Sequence, residues 1–291
     1  MNSFNYPSLV SIHGGHSGEF CNHARDSLEH IVKEYVKKNF KWIGITEHMP
    51  PINNKFLYQD EREKGIDAYT INRKFEKYFT ICRKLQKKYF HVIKIFIGFE
   101  TETYSGYKSF VQKLIRQYKP DYIVGSVHHV NDIPIDYSSE MYAEAIDAAG
   151  GIDALYCRYF DLQYEMINEI KPHVVGHFDL IRIFDSHYLS RLKKPEIMKR
   201  ICRNLECIRT YGLILDFNLR ALYKGDTEPY ISTDILSEAL ALNISIVPGD
   251  DSHGIDTVGL NIEKGINILQ QLGFDTSWKC LKDIAPATKV S

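Results

Sequence analysis

Seven short apolar runs recur along the chain: Leu9–Ile12, Trp42–Thr46, Lys94–Gly98, Tyr122–Ser126, His173–Gly176, Leu213–Phe217 and Ile244–Val247. They are rich in Val, Ile and Phe, and nearly continuous rather than alternating. That is the pattern of parallel strands covered on both faces. Between them, apolar positions return at helical spacing. Ser27–Lys38 carries Leu28, Ile31, Val32, Tyr35 and Val36, with Asp26 as the expected N-cap. Asn72–Tyr89 carries Phe75, Phe79, Cys82 and Leu85. Tyr107–Tyr118, Ile152–Ile170, Glu196–Tyr211, Asp234–Ala241 and Asn261–Leu272 follow the same logic. Alternation of strand and helix predicts a parallel sheet with right-handed crossovers. Seven such units predict an α/β fold, a single closed (β/α)7 TIM-like barrel. No linker, repeat or low-complexity tract interrupts the pattern, so residues 1–291 are expected to form one domain. Pro50–Tyr69 is longer than a usual strand-to-helix connection and is a candidate lid.

Composition narrows the field of partners. A chain of 291 residues with 44% hydrophobic and 25% charged positions can bury one large core. A formal net charge of −1 gives no electrostatic case for nucleic acid or a membrane surface. No apolar run approaches the roughly 18–20 residues of a membrane span. The six cysteines, Cys21, Cys82, Cys157, Cys202, Cys207 and Cys280, form no C-x-x-C pair, which points to reduced thiols. Met1–Ser8 does not read as a signal peptide. A cytoplasmic location and a small-molecule substrate are therefore expected.

The chemistry collects just beyond the strands. After the first come His13, His16 and His23, in Ser-Ile-His-Gly-Gly-His-Ser-Gly-Glu-Phe-Cys-Asn-His. After the second come Glu47 and His48, and after the third Glu100 and Glu102. His128 and His129 follow the fourth, His177 and Asp179 the fifth, and Asn218 the sixth. Asp250, Asp251 and His253 follow the seventh. Only His30, His91, His173 and His187 fall elsewhere. In a barrel these positions share one mouth, the end where such folds keep their active sites. A single histidine there is more often a packed residue than a ligand. Histidine or carboxylate after six strands points to a metal centre. Imidazoles beside carboxylates suit Zn, Fe or Mn rather than Ca or Mg. The set exceeds what one tetrahedral zinc uses, so two or three divalent ions are expected, bridged by Glu100. Such clusters activate water and clamp phosphate oxygens.

These motifs together resemble the PHP (polymerase and histidinol phosphatase) superfamily. The elements are His-x-His near the N-terminus, Glu-His after strand two, Gly-x-Glu after strand three, Ser-Val-His after strand four, Gly-His-x-Asp after strand five and Asp-x-His after strand seven. Residues 125–136 and 163–180 look like the monofunctional histidinol-phosphatases in particular, and the resemblance runs from about Ser11 to Gly273. It implies a (β/α)7 barrel with a trinuclear site that hydrolyses L-histidinol phosphate in histidine biosynthesis. It further implies that His13, His16, Glu100 and Asp251 hold one metal, that Glu100, His128 and His177 hold a second, and that His23, His48 and His253 hold a third. His129, Asp250 and Asp251 are the candidate catalytic residues beside them. Another phosphoesterase of the superfamily, or a non-catalytic metal-binding module, is the alternative.

Three departures from the family pattern bear on these expectations. One residue is inserted in His13-Gly14-Gly15-His16, and the glycines allow a bulge that brings His13 back. After strand six, Tyr223 stands where an arginine is usual, so Arg220, Lys224 and, from the fifth loop, Arg182 are the candidate phosphate binders. Asp250 stands where serine is common. Glu47, next to His48, is a candidate partner orienting a ligand imidazole, or a cap for the next segment, and Glu102 and Asp179 are candidates for a ring N–H or the substrate amine. Cys21 is expected to be a buried neutral thiol rather than a ligand. Tyr58 and Tyr104 are candidates to stack on an imidazole.

Overall fold

The structure, a computed structural model, describes residues 7–281. In chain order the elements begin β1 (Val10–Ser11), α1 (Leu28–Lys37), β2 (Trp42–His48), α2 (Gln59–Glu63), α3 (Ala68–Lys88), β3 (Lys94–Glu100) and α4 (Tyr107–Tyr118). They continue β4 (Val124–Gly125), β5 (His129–Val130), β6 (Ile133–Pro134), α5 (Ser139–Ala149), α6 (Ile152–Ile170) and β7 (Val174–Val175). Then come α7 (Tyr188–Leu192), α8 (Pro195–Tyr211), β8 (Ile214–Asn218), α9 (Arg220–Tyr223), α10 (Thr233–Ala241), β9 (Ser245–Gly249) and α11 (Ile262–Leu272).

Seven parallel strands form one sheet in the order β1-β2-β3-β4-β7-β8-β9. The β2–β3 pairing runs from Trp42 opposite Lys94 to His48 opposite Glu100. The Ile12 N–H donates to the Pro248 carbonyl (3.0 Å), which brings the first strand against the last and nearly closes a TIM-like barrel. All seven predicted strands are present. Among the described residues no helix is long and apolar enough to cross a membrane, and all six cysteines are free.

The barrel interior is apolar at the end away from the strand C-termini. Val10, Ile12, Trp42, Phe96, Tyr122, Val124, Val174, Ile214 and Val247 fill it. Tyr122 lies across this layer and donates to the Ile12 carbonyl (2.8 Å). Gly44 and Gly98 leave it room, since a Cβ at either would collide with the Tyr122 ring. This plug makes the opposite end the place where side chains can face a cavity.

Local details depart from the expected pattern. The N-cap of α1 is Ser27, not Asp26. Asp26 sits at φ 65 and its carboxylate instead accepts the Ile255 N–H (3.0 Å). A β5–β6 hairpin follows strand four, pairing His129 with Pro134. Helix α5 was not predicted because its buried face is thin, with only Tyr142 and Ala145 fully covered.

Candidate metal centre

Glu100 ends β3 and is buried at the centre of the mouth. Its Oε1 lies 2.7 Å from His177 Nε2 and 2.9 Å from His128 Nε2. Its Oε2 lies 3.2 Å from His13 Nε2 and 3.5 Å from His48 Nδ1. Four strand ends thus present imidazoles to one carboxylate. Beside it, Asp251 Oδ1 lies 3.3 Å from His16 Nε2. His253 stacks on His16 with ring centres 4.3 Å apart, and His23 stacks on His253 at 4.8 Å.

Donor atoms of His13, His16 and Asp251, of His13, Glu100 and His177, and of His16, His48 and His253 lie within 4.8 Å of one another in each group. A fourth group joins Cys21, His23 and His253. The inserted residue of the first loop is absorbed by Gly15 at φ 78, so His13 reaches the centre. The nine residues expected to ligate metals converge on this mouth. His23 sits at the rim, more exposed than the others.

Several of these nitrogens make no hydrogen bond, although His48 Nδ1 also lies 3.1 Å from Glu102 Oε1. His13 Nε2, both ring nitrogens of His16 and His48 Nδ1 are buried without a hydrogen bond. Leaving a buried polar atom unpaired costs about 1–3 kcal/mol. Unpaired nitrogens that face carboxylates are the donor set divalent cations require, so these residues fit such ions.

Carboxylates and a carbonyl behind the rings fix their orientation, as partners of metal-binding histidines do. Asp216 Oδ2 accepts from His13 Nδ1 (2.8 Å) and Asp136 Oδ2 from His128 Nδ1 (2.9 Å). The Asp251 carbonyl faces His253 Nδ1 (2.9 Å). Neither Asp216 nor Asp136 was anticipated. The only signal was an acid inside or just after an apolar run. Glu47 faces a ligand imidazole, that of His16: its Oε2 is 3.6 Å from His16 Nδ1, and its Oε1 accepts the Ser17 N–H. Successive side chains of a strand point to opposite faces.

The electrostatics follow from this packing. Burial alone would raise the Glu100 carboxyl, but the surrounding His13, His128 and His48 hold it well below the usual range. Burial opposes charging of His13, and Glu100 and Asp216 overcome it, so His13 is raised. His16 is held up to about 9, with burial outweighed by the Asp251 and Glu47 carboxylates that face its ring. His253 goes the other way, lowered by burial and by His16. Burial, with Glu47 nearby, keeps the Cys21 thiol well above its ordinary value.

The site opens into a cavity of about 450 Å³. Its outer wall includes Phe56 and Tyr58 from the candidate lid, with Tyr104 and Tyr137. Tyr58 stacks on Tyr137 at 5.5 Å and donates to Glu102 (3.1 Å). Tyr104 stacks on Phe56, with its hydroxyl on the Pro50 carbonyl, and meets His129 edge-on at 5.7 Å. His129 faces away from Glu100, with Nδ1 3.0 Å from Glu102 Oε2. Arg220 and Lys224 line the cavity.

Three expected residues are not there. Asp250 points out of the barrel, where its carboxylate accepts from Ser11 Oγ (2.7 Å) and the Tyr35 hydroxyl (2.8 Å). It cannot act on a substrate at the mouth. Arg182 is buried between the rings of Tyr188 and Tyr230 and is bonded to Asp226 and to the carbonyls of Glu228 and Pro229. Its guanidinium is consumed and does not reach the cavity. Asp179 accepts the Ser232 N–H and pairs with Arg182 instead of facing substrate.

A model of the PHP domain family matches residues 14–220. The chain is 34% identical to the probable histidinol-phosphatase of Schizosaccharomyces pombe, over 91% of this chain and 87% of that protein. It is 30% identical to the histidinol-phosphatase of Saccharomyces cerevisiae, over 87% of this chain and 85% of that one. Among solved structures, the histidinol phosphate phosphatase of Lactococcus lactis, complexed with zinc, L-histidinol and phosphate, matches with a TM-score of 0.72 at 21% identity. That match covers 92% of this chain and 95% of the other and shows a common fold.

Proposed function

The chain belongs to the PHP domain family, and from that membership we propose that it is a metal-dependent phosphomonoesterase hydrolysing L-histidinol phosphate to L-histidinol and phosphate in histidine biosynthesis. The observation that carries this reading is Glu100, one buried carboxylate facing four imidazoles from four strand ends, with His13 Nε2 and His48 Nδ1 making no hydrogen bond. The relatives named histidinol-phosphatase, and the zinc in the Lactococcus protein, support the substrate and the metal.

Two or three divalent ions (Zn, Fe or Mn) would be held by His13, His16, Glu100 and Asp251, by Glu100, His128 and His177, and by His23, His48 and His253. Such ions supply Lewis acidity and lower the pKa of water. The chain supplies the rest. Asp216 and Asp136 keep Nδ1 of His13 and His128 occupied, so each ring turns Nε2 toward Glu100. Arg220 and Lys224 place positive charge on the cavity wall for the phosphate oxygens. Burial lowers the Lys224 ammonium, with Asp136 opposing that shift. His129 turns Nδ1 toward Glu102 (3.0 Å), which leaves Nε2 to protonate the departing alkoxide. Phe56, Tyr58 and Tyr137 limit the access of bulk water. The chain acts as one catalytic unit, cytoplasmic, on a small phosphate ester, without a nucleic-acid or membrane partner.

The test is phosphate release after the bound ions have been counted. L-histidinol phosphate is expected to give the highest kcat/KM in a panel of small phosphate monoesters. No release from it by a protein carrying two or more ions would reject the assignment. Fewer than two ions per chain would favour a non-catalytic module.

A further inference from the structure

Asp251 is the metal-site carboxylate whose backbone is held least comfortably. It is a non-glycine residue at φ 45, in the left-handed region, which persists only when neighbours fix it. Its N–H donates to the His13 carbonyl (2.9 Å). Its carbonyl accepts from Arg220 Nη1 (2.8 Å), and its Oδ2 accepts from Asn218 Nδ2 (3.2 Å).

The Asn218 amide does more than this. Its Nδ2 also donates to Asp216 Oδ2 (3.0 Å), the atom that receives His13 Nδ1. Its Oδ1 accepts the backbone N–H of Arg220 (3.0 Å). The partners assign the amide without ambiguity, with nitrogen between two carboxylates and oxygen on an N–H. The residue is fully buried at the end of β8, and its backbone is bonded in both directions to Tyr230.

We infer that Asn218 is a positioning residue that couples Asp251, in the candidate ligand set, and Asp216, which orients His13, to the turn presenting Arg220. Its nitrogen sets the spacing between Asp216 and Asp251, and its oxygen fixes the first turn of α9. No other side chain of this size offers a donor to two carboxylates and an acceptor to an N–H. An aspartate would bring three carboxylates together with no donor among them. The Arg220 half rests on the phosphatase reading; the cation half does not.

The experiment compares the full-length protein with Asn218→Leu, and with Asn218→Ala should the leucine not fit. Metal-free protein is titrated with zinc by calorimetry, and zinc-loaded protein with inorganic phosphate. Melting of the metal-free forms is followed alongside. Cation affinity is expected to fall about 10–100-fold, as for other partners of metal ligands, with phosphate affinity falling as well. A lower melting temperature with both affinities within twofold of the unmodified protein would mean a purely structural role and overturn the inference. Loss of only one affinity would overturn the coupling. Neither titration depends on turnover, so a failed phosphatase assay leaves both readable.

Discussion

Asp216 offers a direct measurement of how much orientation matters at this centre. Its Oδ2 receives three donors: His13 Nδ1 at 2.8 Å, Asn218 Nδ2 at 3.0 Å and the His177 N–H at 3.3 Å. Its Oδ1 has no partner. Asp216→Asn can place its amide oxygen where Oδ2 was and keep every acceptance, losing the charge and leaving its amide nitrogen without an acceptor at the Oδ1 position, which costs about 1–3 kcal/mol of folding stability. A hydrogen bond to a charged group is worth about 1.5–3 kcal/mol and a neutral one about 0.5–1.5, so the bond that orients His13 loses about 1 kcal/mol, or about fivefold in cation affinity. Asp216→Ala removes the acceptor. His13 is then free to turn, and cation affinity and kcat/KM should each fall about 10–100-fold, or about 1.4–2.7 kcal/mol. The buried donors left behind each cost about 1–3 kcal/mol of folding stability as well. Cation titration of the metal-free protein, steady-state phosphate release and thermal melting separate these effects. An alanine variant that melts lower but binds cations as tightly as the unmodified protein would refute the orienting role. An asparagine variant as damaged as the alanine would show that charge, not the position of the acceptor, is what the site needs.

Glu100→Ala leaves His13, His48, His128 and His177 facing one another, and activity should fall by about 10³-fold or more with loss of bound ions, read by metal analysis and phosphate release. Asp250→Ala strands the Gly259 N–H and takes one partner from Ser11 and one from Tyr35, which keep the His13 carbonyl and Ser252 Oγ, so stability should fall by about 1–3 kcal/mol and the melting temperature by about 2–12 °C. Turnover by the folded fraction at low temperature should stay near normal; a collapse of kcat without a drop in melting temperature would restore Asp250 to the chemistry. Without metal, His16 is raised from 6.5 to about 9, chiefly against burial and through Asp251 and Glu47. That stabilisation is complete below about pH 6.5 and is lost as pH rises toward 9. The metal-free melting temperature should therefore fall across that window, while the gain on adding zinc widens because fewer protons compete. A metal-free melting temperature that does not fall there would contradict this.

What the linear chain determined was the frame. A parallel strand buried on both faces must be apolar throughout, so all seven strands stand out. Polar residues just past each strand must lie at the same rim once the sheet closes. His13, His48, Glu100, His128, His177 and Asp251 were legible as rim residues for that reason, and their selection as ligands came from the resemblance to the superfamily. The direction of each side chain was decided by the tertiary structure. Asp250 and Asp251 are neighbours, yet one faces Tyr35 outside the barrel and the other His16 inside, across a backbone at φ 45. His128 and His129 divide in the same way between Glu100 and Glu102. Asp216 lies 203 residues from His13, and no local pattern marks it as that ring's partner. Arg182 had the right charge in the right loop, but Tyr188, Tyr230 and Asp226 hold it elsewhere. Periodicity records whether a position is buried, which is a property of one segment. Which group a buried polar atom meets depends on backbone dihedrals and on residues from distant strands, and these exist only when the barrel has closed.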